Sequence, residues 1–186
     1  MANKIDGQDA ALMQLFTSLK KSVLQVGTET LGLSPQELDD VRDALLRGEP
    51  LYRILGMKET MIEARYALAH QLYSAGKYKD AEALFRWLTA YANDNEAHWL
   101  GLGACRQAQE NYNGALEAYQ MAALYSSLED PAPFYYSAIC LLRQGKKEEA
   151  QISLQAVMTL ADKSKSEHKV VMDKAATLLA GLNKGC

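Results

Sequence analysis

The chain has 186 residues, 48% of them apolar and 23% charged, with a formal net charge of −3. That is the make-up of a globular domain with a real core. Mixed, slightly acidic charge excludes a nucleic-acid surface, which would need a basic stripe. No apolar run approaches the roughly 20 residues of a membrane span.

Residues 1–8 are polar. From Asp9 to Val26 the apolar side chains, Leu12, Leu15, Phe16, Leu19 and Val23 among them, recur at helical spacing and form one stripe. Such a stripe must be buried on its own chain or on a second copy. Residues 1–33 are read as an N-terminal helix and a candidate dimerisation segment, with both ways of burying the stripe open. Residues 34–186 are read as the main domain. It opens on Ser34-Pro35-Gln36-Glu37, a capping box with proline in the first turn. Leu38, Val41, Leu45 and Leu46 should form the buried face of this lead-in helix. Between Gly48 and Gly56, Leu51, Ile54 and Leu55 mark one short apolar helical turn, pinned against the first repeat of a periodic region.

In that region the chain repeats itself. The fragments GKYKDAEALF from Gly76, ENYNGALEAY from Glu110 and GKKEEAQISL from Gly145 share an alanine, Ala81, Ala115 and Ala150, at steps of 34 and 35 residues. A large apolar residue follows each alanine by four positions: Phe85, Tyr119 and Leu154. A small residue precedes each by twelve: Ala69, Gly103 and Ala138. A 34-residue period of this kind is the signature of the tetratricopeptide repeat (TPR), a helix–turn–helix unit. The small residues suit a close helix crossing, with the large residue filling the space beside it. The expected fold is all-α: three tandem repeats (about 62–94, 96–129 and 131–163) in a short right-handed superhelix. The first helices run from about Glu59 to Ala75, Asn95 to Gln109 and Asp130 to Gln144. The second run from about Tyr78 to Tyr91 and Tyr112 to Ser126, and in the third repeat, after a turn supplied by Gly145, to about Ala161. A last helix, about Ser164 to Leu182, shows a second capping box, Ser164 with Glu167. It presents Val170, Val171, Ala175, Leu178, Leu179 and Leu182 to the open end of the stack, which would otherwise face water.

No catalytic or metal chemistry is legible. His70, His98 and His168 have no second ligand at metal spacing. The G-x-G of Leu100–Arg106 lies within a helical repeat rather than after a strand. No cofactor is expected, and no enzyme activity. The odd set Cys105, Cys140 and Cys186 reads as reduced thiols, the first two as small core residues. With no apolar secretory signal at the N-terminus, the expected location is the cytoplasm.

The first helix of each TPR lines the concave side. In the frame set by Ala69, Gly103 and Ala138, the inward positions are Glu63, Tyr66, His70 and Tyr73, then Ala97, Leu100, Ala104 and Gln107, then Ala132, Tyr135, Ile139 and Leu142. This is an apolar, aromatic trough with few charges, suited to an extended hydrophobic peptide. It lacks the lysine, arginine and asparagine cluster with which other TPR domains seize an acidic C-terminal tail.

Leu100–Ala122, LGLGACRQAQENYNGALEAYQMA, resembles the second repeat of the class II chaperones of bacterial type III secretion, the TPR-containing translocator chaperones of the LcrH/SycD and IpgC/SicA group. Tyr66-Ala67-Leu68-Ala69 with Tyr73, Gly76-Lys77-Tyr78, Ala81, Leu84 and Phe85 also matches, as do Gly48–Leu55 and Pro131–Tyr136. At Gly48-Glu49-Pro50 the family commonly carries a double glycine and threonine instead. The resemblance spans about residues 35–180. It implies a three-repeat domain with flanking helices and a bacterial cytoplasmic chaperone. It implies that one or two hydrophobic translocators are held by an N-terminal segment in the groove, and that dimers form, often through N-terminal helices. In some members it implies a regulator protein as a further partner. The competing reading is a general TPR interaction scaffold in envelope or pilus assembly.

Overall fold

The structure, a computed structural model, describes residues 34–184. The expected N-terminal helix and its dimerisation stripe, Leu12, Leu15, Phe16, Leu19 and Val23, lie outside the described residues. Those described are helical, without strands, and divide into two compact units, one ending at Glu49 and the other beginning at Pro50.

In the first unit, α1 spans Pro35–Leu46. The capping box is present: Ser34 accepts from the Glu37 amide, and the Glu37 carboxylate accepts from the Ser34 amide at 2.7 Å. The expected apolar face is not buried as a set. Ala44 is buried, whereas Leu45 and Leu46 are 52% and 79% exposed. The sequence assigns this helix to the repeat domain; it groups instead with the unit that ends at Glu49.

The second unit begins with the single turn α2, Leu51–Ile54. Tyr52 is its anchor, buried among Ile62, Phe85 and Leu88, while Leu55 is 57% exposed. The aromatic ring, not the leucine, reaches the core. Six helices follow as three hairpins: α3 (Glu59–Ser74) with α4 (Tyr78–Tyr91), α5 (Glu96–Ala108) with α6 (Tyr112–Tyr125), and α7 (Ala132–Arg143) with α8 (Lys147–Leu160). The terminal α9 spans Ser166–Lys184. From α3 to α9 each helix packs on the next in sequence, α2 packs on α4, and α3 also touches α5, as stacked TPRs require.

The repeat pattern is the core itself. Ala69, Ala81, Ala115, Ala138 and Ala150 are wholly buried, and Phe85, Tyr119 and Leu154 are nearly so. A Cβ built on Gly103 would lie 2.4 Å from the Tyr119 ring, and one on Gly101 would lie 2.2 Å from the Phe85 ring. These helices meet at backbone distance. Glu82 of α4 accepts from Arg106 (3.2 Å) of α5 and from Gln109 (2.7 Å) at its C-cap, tying the first repeat to the second.

Each hairpin turns in the same way. The residue after the C-cap enters the left-handed region, as Gly76 (φ 73°), Glu110 (φ 63°) and Gly145 (φ 76°). The next amide then reaches back across the last turn: Lys77 to Leu72, Asn111 to Arg106 and Lys146 to Leu141, at 2.9–3.0 Å. This is the Schellman closure. Asp130 accepts from the Ala132 amide at 2.9 Å to start α7.

The terminal helix starts later than the sequence suggests. Ser164 lies in the preceding turn, where its amide and hydroxyl both donate to Asp162 (2.8 and 2.7 Å), so it does not cap. Val171, Leu178, Leu179 and Leu182 of α9 pack around buried Ala175 onto Ala138, Leu141 and Val157, while Val170 points outward, 53% exposed. No helix among the described residues is long and apolar enough to cross a membrane.

Candidate functional site

Three first helices, α3, α5 and α7, present side chains to one groove of about 570 Å3. Of the positions expected to face inward, Tyr66, His70, Tyr73, Ala97, Leu100, Ala104, Gln107 and Ile139 line it together. Glu63 instead lines an adjoining recess. Tyr135 and Leu142 pack with Ala138, Leu141 and the apolar face of α9, and Ala132 is not part of the lining either.

In the third repeat Tyr136, Ile139 and Arg143 are the residues that reach the groove. They share a helical face at i, i+3 and i+7. The repeat offset points instead to Tyr135 and Leu142, which find their apolar surface elsewhere in that end of the stack. Starting from Ile139 and applying helical spacing would have found Tyr136 and Arg143. The lining also includes Phe85, Gly101, Tyr112 and Tyr119, with Glu110 supplying a second charge. Phe85 and Tyr119 stand out in the sequence as core residues, and they serve both purposes.

Aromatic contacts hold the walls. Tyr66 meets Phe85 edge-on at 6.1 Å and lies 5.5 Å from the ring of His98. Tyr119 stacks on Tyr136 at 5.6 Å, and Tyr136 meets Tyr135 edge-on at 5.4 Å. Tyr119 donates its hydroxyl to Gln107 Oε1 at 2.8 Å. With its oxygen engaged, Gln107 keeps amide donors for a main-chain carbonyl in the groove.

Burial pushes the Tyr73 and Tyr135 hydroxyls above the usual tyrosine range. It pushes the Cys105 thiol up to about 12 and Cys140 up to about 11. Both thiols are free and wholly buried, so they act as small apolar residues rather than nucleophiles. Among the described residues no three His, Cys, Asp or Glu side chains could hold a metal ion. The arrangement can bind; it offers apolar walls, aromatic faces and a few amide donors.

Fold and site together define a TPR protein with a concave, aromatic, peptide-sized groove. A family model for the tetratricopeptide repeat matches residues 63–95. The chain is 32% identical over 149 residues to the low calcium response locus protein H of Yersinia pestis, covering 79% of this chain and 87% of that one. It is similar to the type III secretion translocator chaperone SycD of Yersinia enterocolitica (TM-score 0.67, 30% identity, 71% of this chain and 97% of that one). It is similar also to PcrH in complex with the chaperone binding region of PopD (TM-score 0.65, 30% identity, 69% and 96%). The chain belongs to the class II chaperones of type III secretion, the translocator chaperones.

Proposed function

We propose that the chain is a cytoplasmic holding chaperone whose groove sequesters an extended apolar segment of a hydrophobic translocator, keeping it from self-association until export. The observation that carries this reading is the groove's lining: Tyr66, Tyr73, Leu100, Ala104 and Ile139 converge with only Glu110 and Arg143 as charges. PcrH, of the same family and fold, holds the chaperone binding region of PopD. A membrane-inserting client exposes apolar surface that associates in water. Burying three or four of its side chains, at about 1.5–3 kcal/mol each, supports micromolar or tighter binding after the cost of ordering the segment. The role is holding rather than turnover, with release by handover to the export machinery.

The test is calorimetric titration of the chaperone binding region of PopD into the wild type and into an Ala104→Glu, Ile139→Ala variant. Ala104 lies on the groove wall of α5, where glutamate is compatible with a helix. The expected result is at least about a tenfold loss of affinity, or about 1.4 kcal/mol, with unchanged helical content. A folded variant that binds as tightly as the wild type would count against the groove.

A further inference from the structure

A second recess of about 480 Å3 shares Tyr66 with the groove as a lining residue. Glu59, Glu63, Asp94 and Glu96 stand around this recess with the rings of Tyr52 and Tyr125, and no lysine or arginine is among its lining residues. Arg53 approaches Asp94 at 3.7 Å, whereas Glu59 and Glu63 are exposed and form no ion pair among the described residues.

His98 supplies the second, independent observation. It is 3% exposed and lines the recess. Its Nδ1 is 2.7 Å from the Ala92 carbonyl oxygen, which can only accept, so Nδ1 carries the hydrogen. Nε2 is then an acceptor left open rather than sealed in the interior, since among the described residues the enclosed side-chain atom without a hydrogen bond is Gln144 Oε1. Burial holds the imidazole below its ordinary pKa and so in this neutral form. Asp94 is paired with Arg53, and Glu96 is turned toward Ser126 and Asp130 with burial raising its pKa, so the free carboxylates of Glu59 and Glu63, with an imidazole lone pair and aromatic faces, suit a donor-rich cation. Since no three of these side chains converge as metal ligands, a cation on a flexible stem fits better than a compact ion. The opposite charge in the groove, Arg143, belongs to the third repeat.

We propose that the recess takes a lysine or arginine side chain of the client, placed just beyond the apolar residues that fill the groove, and that this pairing sets the direction in which the client lies. The inference rests on the reading of the groove as the client's binding site. A basic residue at one flank of the bound segment is thereby part of what the chaperone recognises, alongside the apolar anchors.

The probe is the chaperone binding region of PopD with its own lysines and arginines replaced by norleucine. A two-glycine spacer extends it at either end, closed by lysine, norleucine or glutamate. Binding is read by fluorescence anisotropy on the wild type and on a Glu59→Gln, Glu63→Gln variant. Lysine at one end only should bind about fivefold tighter than norleucine, and glutamate there more weakly. The preference should shrink at about 0.5 M salt. It should vanish in the double variant while the norleucine peptide keeps its affinity. Equal binding of lysine and norleucine peptides at both ends, with the Ala104→Glu effect intact, overturns the recess and leaves the groove standing. A lysine preference that survives in the double variant also overturns it. Failure of every peptide to bind the wild type overturns the groove reading and the recess with it.

Discussion

Gly103 shows how much of this fold depends on single atoms. Its missing side chain is where the Tyr119 ring lies, and that ring is 1% exposed and hydrogen-bonded to Gln107. A methyl at 2.4 Å cannot be accommodated by a swing of the ring. Gly103→Ala should therefore destabilise the protein by about 1–3 kcal/mol, read as a lowered urea midpoint, even though alanine is the better helix former. A variant as stable as the wild type would mean that the two helices can part at this crossing without loss. Gly103, with Ala69 and Ala138, was legible from the repeat because each is separated from a buried alanine by the same interval. Gly101 was not, because its partner Phe85 belongs to the preceding repeat, and a contact between repeats leaves no periodic trace within one. Glu63 lines the neighbouring recess and Tyr135 packs toward α9 for a related reason: the repeat offset fixes a residue's position along a helix but not what stands opposite it. For Tyr135 the neighbours include Leu142 and the apolar face of α9; for Glu63 they include Glu59 and Asp94.

At the scale of elements, helix limits were readable wherever a cap or a left-handed turn fixed them. The bounds of α3, α4, α5 and α6 fall within a residue of expectation, since each hairpin closes through the same Schellman geometry. The start of α9 was not readable, because Asp162 competes for Ser164 and wins. The second turn carries a cost that the other two avoid: Glu110 stands at φ 63°, where Gly76 and Gly145 serve the other repeats. A left-handed conformation costs an L-residue about 1–2 kcal/mol, offset in part by the greater freedom glycine would have when unfolded. Glu110→Gly should thus raise stability by about 0.5–1 kcal/mol in chemical denaturation. A drop in stability would show that the carboxylate makes a compensating contact. Glu110 lines the groove, which is a reason to keep a strained side chain there.

For the repeat unit as a whole, stability is a matter of nearest neighbours, and the end of the stack is closed by α9. Ala175 is wholly buried where α9 meets α7 and α8. Ala175→Asp places an unpaired carboxylate in that seam, a cost of several kcal/mol that detaches the terminal helix. Hydrogen exchange should then show protection lost from α7, α8 and α9 while α3 to α5 keep theirs. Uniform loss throughout would mean that the hairpins fold as one cooperative block. The sequence made the closing helix visible through its apolar spacing, but placed Val170 on the wrong side, since one residue of helical rotation separates it from Val171.

The backbone contact at Gly101 has a consequence for how such chaperones diversify. Where the helix lies directly under the Phe85 ring, the trough's depth is frozen, and no substitution can raise that floor without parting two hairpins. Variation in what is carried must be written into the banks, at positions such as His70, Leu100 and Ile139. A lineage of these proteins would acquire new cargo by re-lining one inherited channel, never by re-cutting its bed.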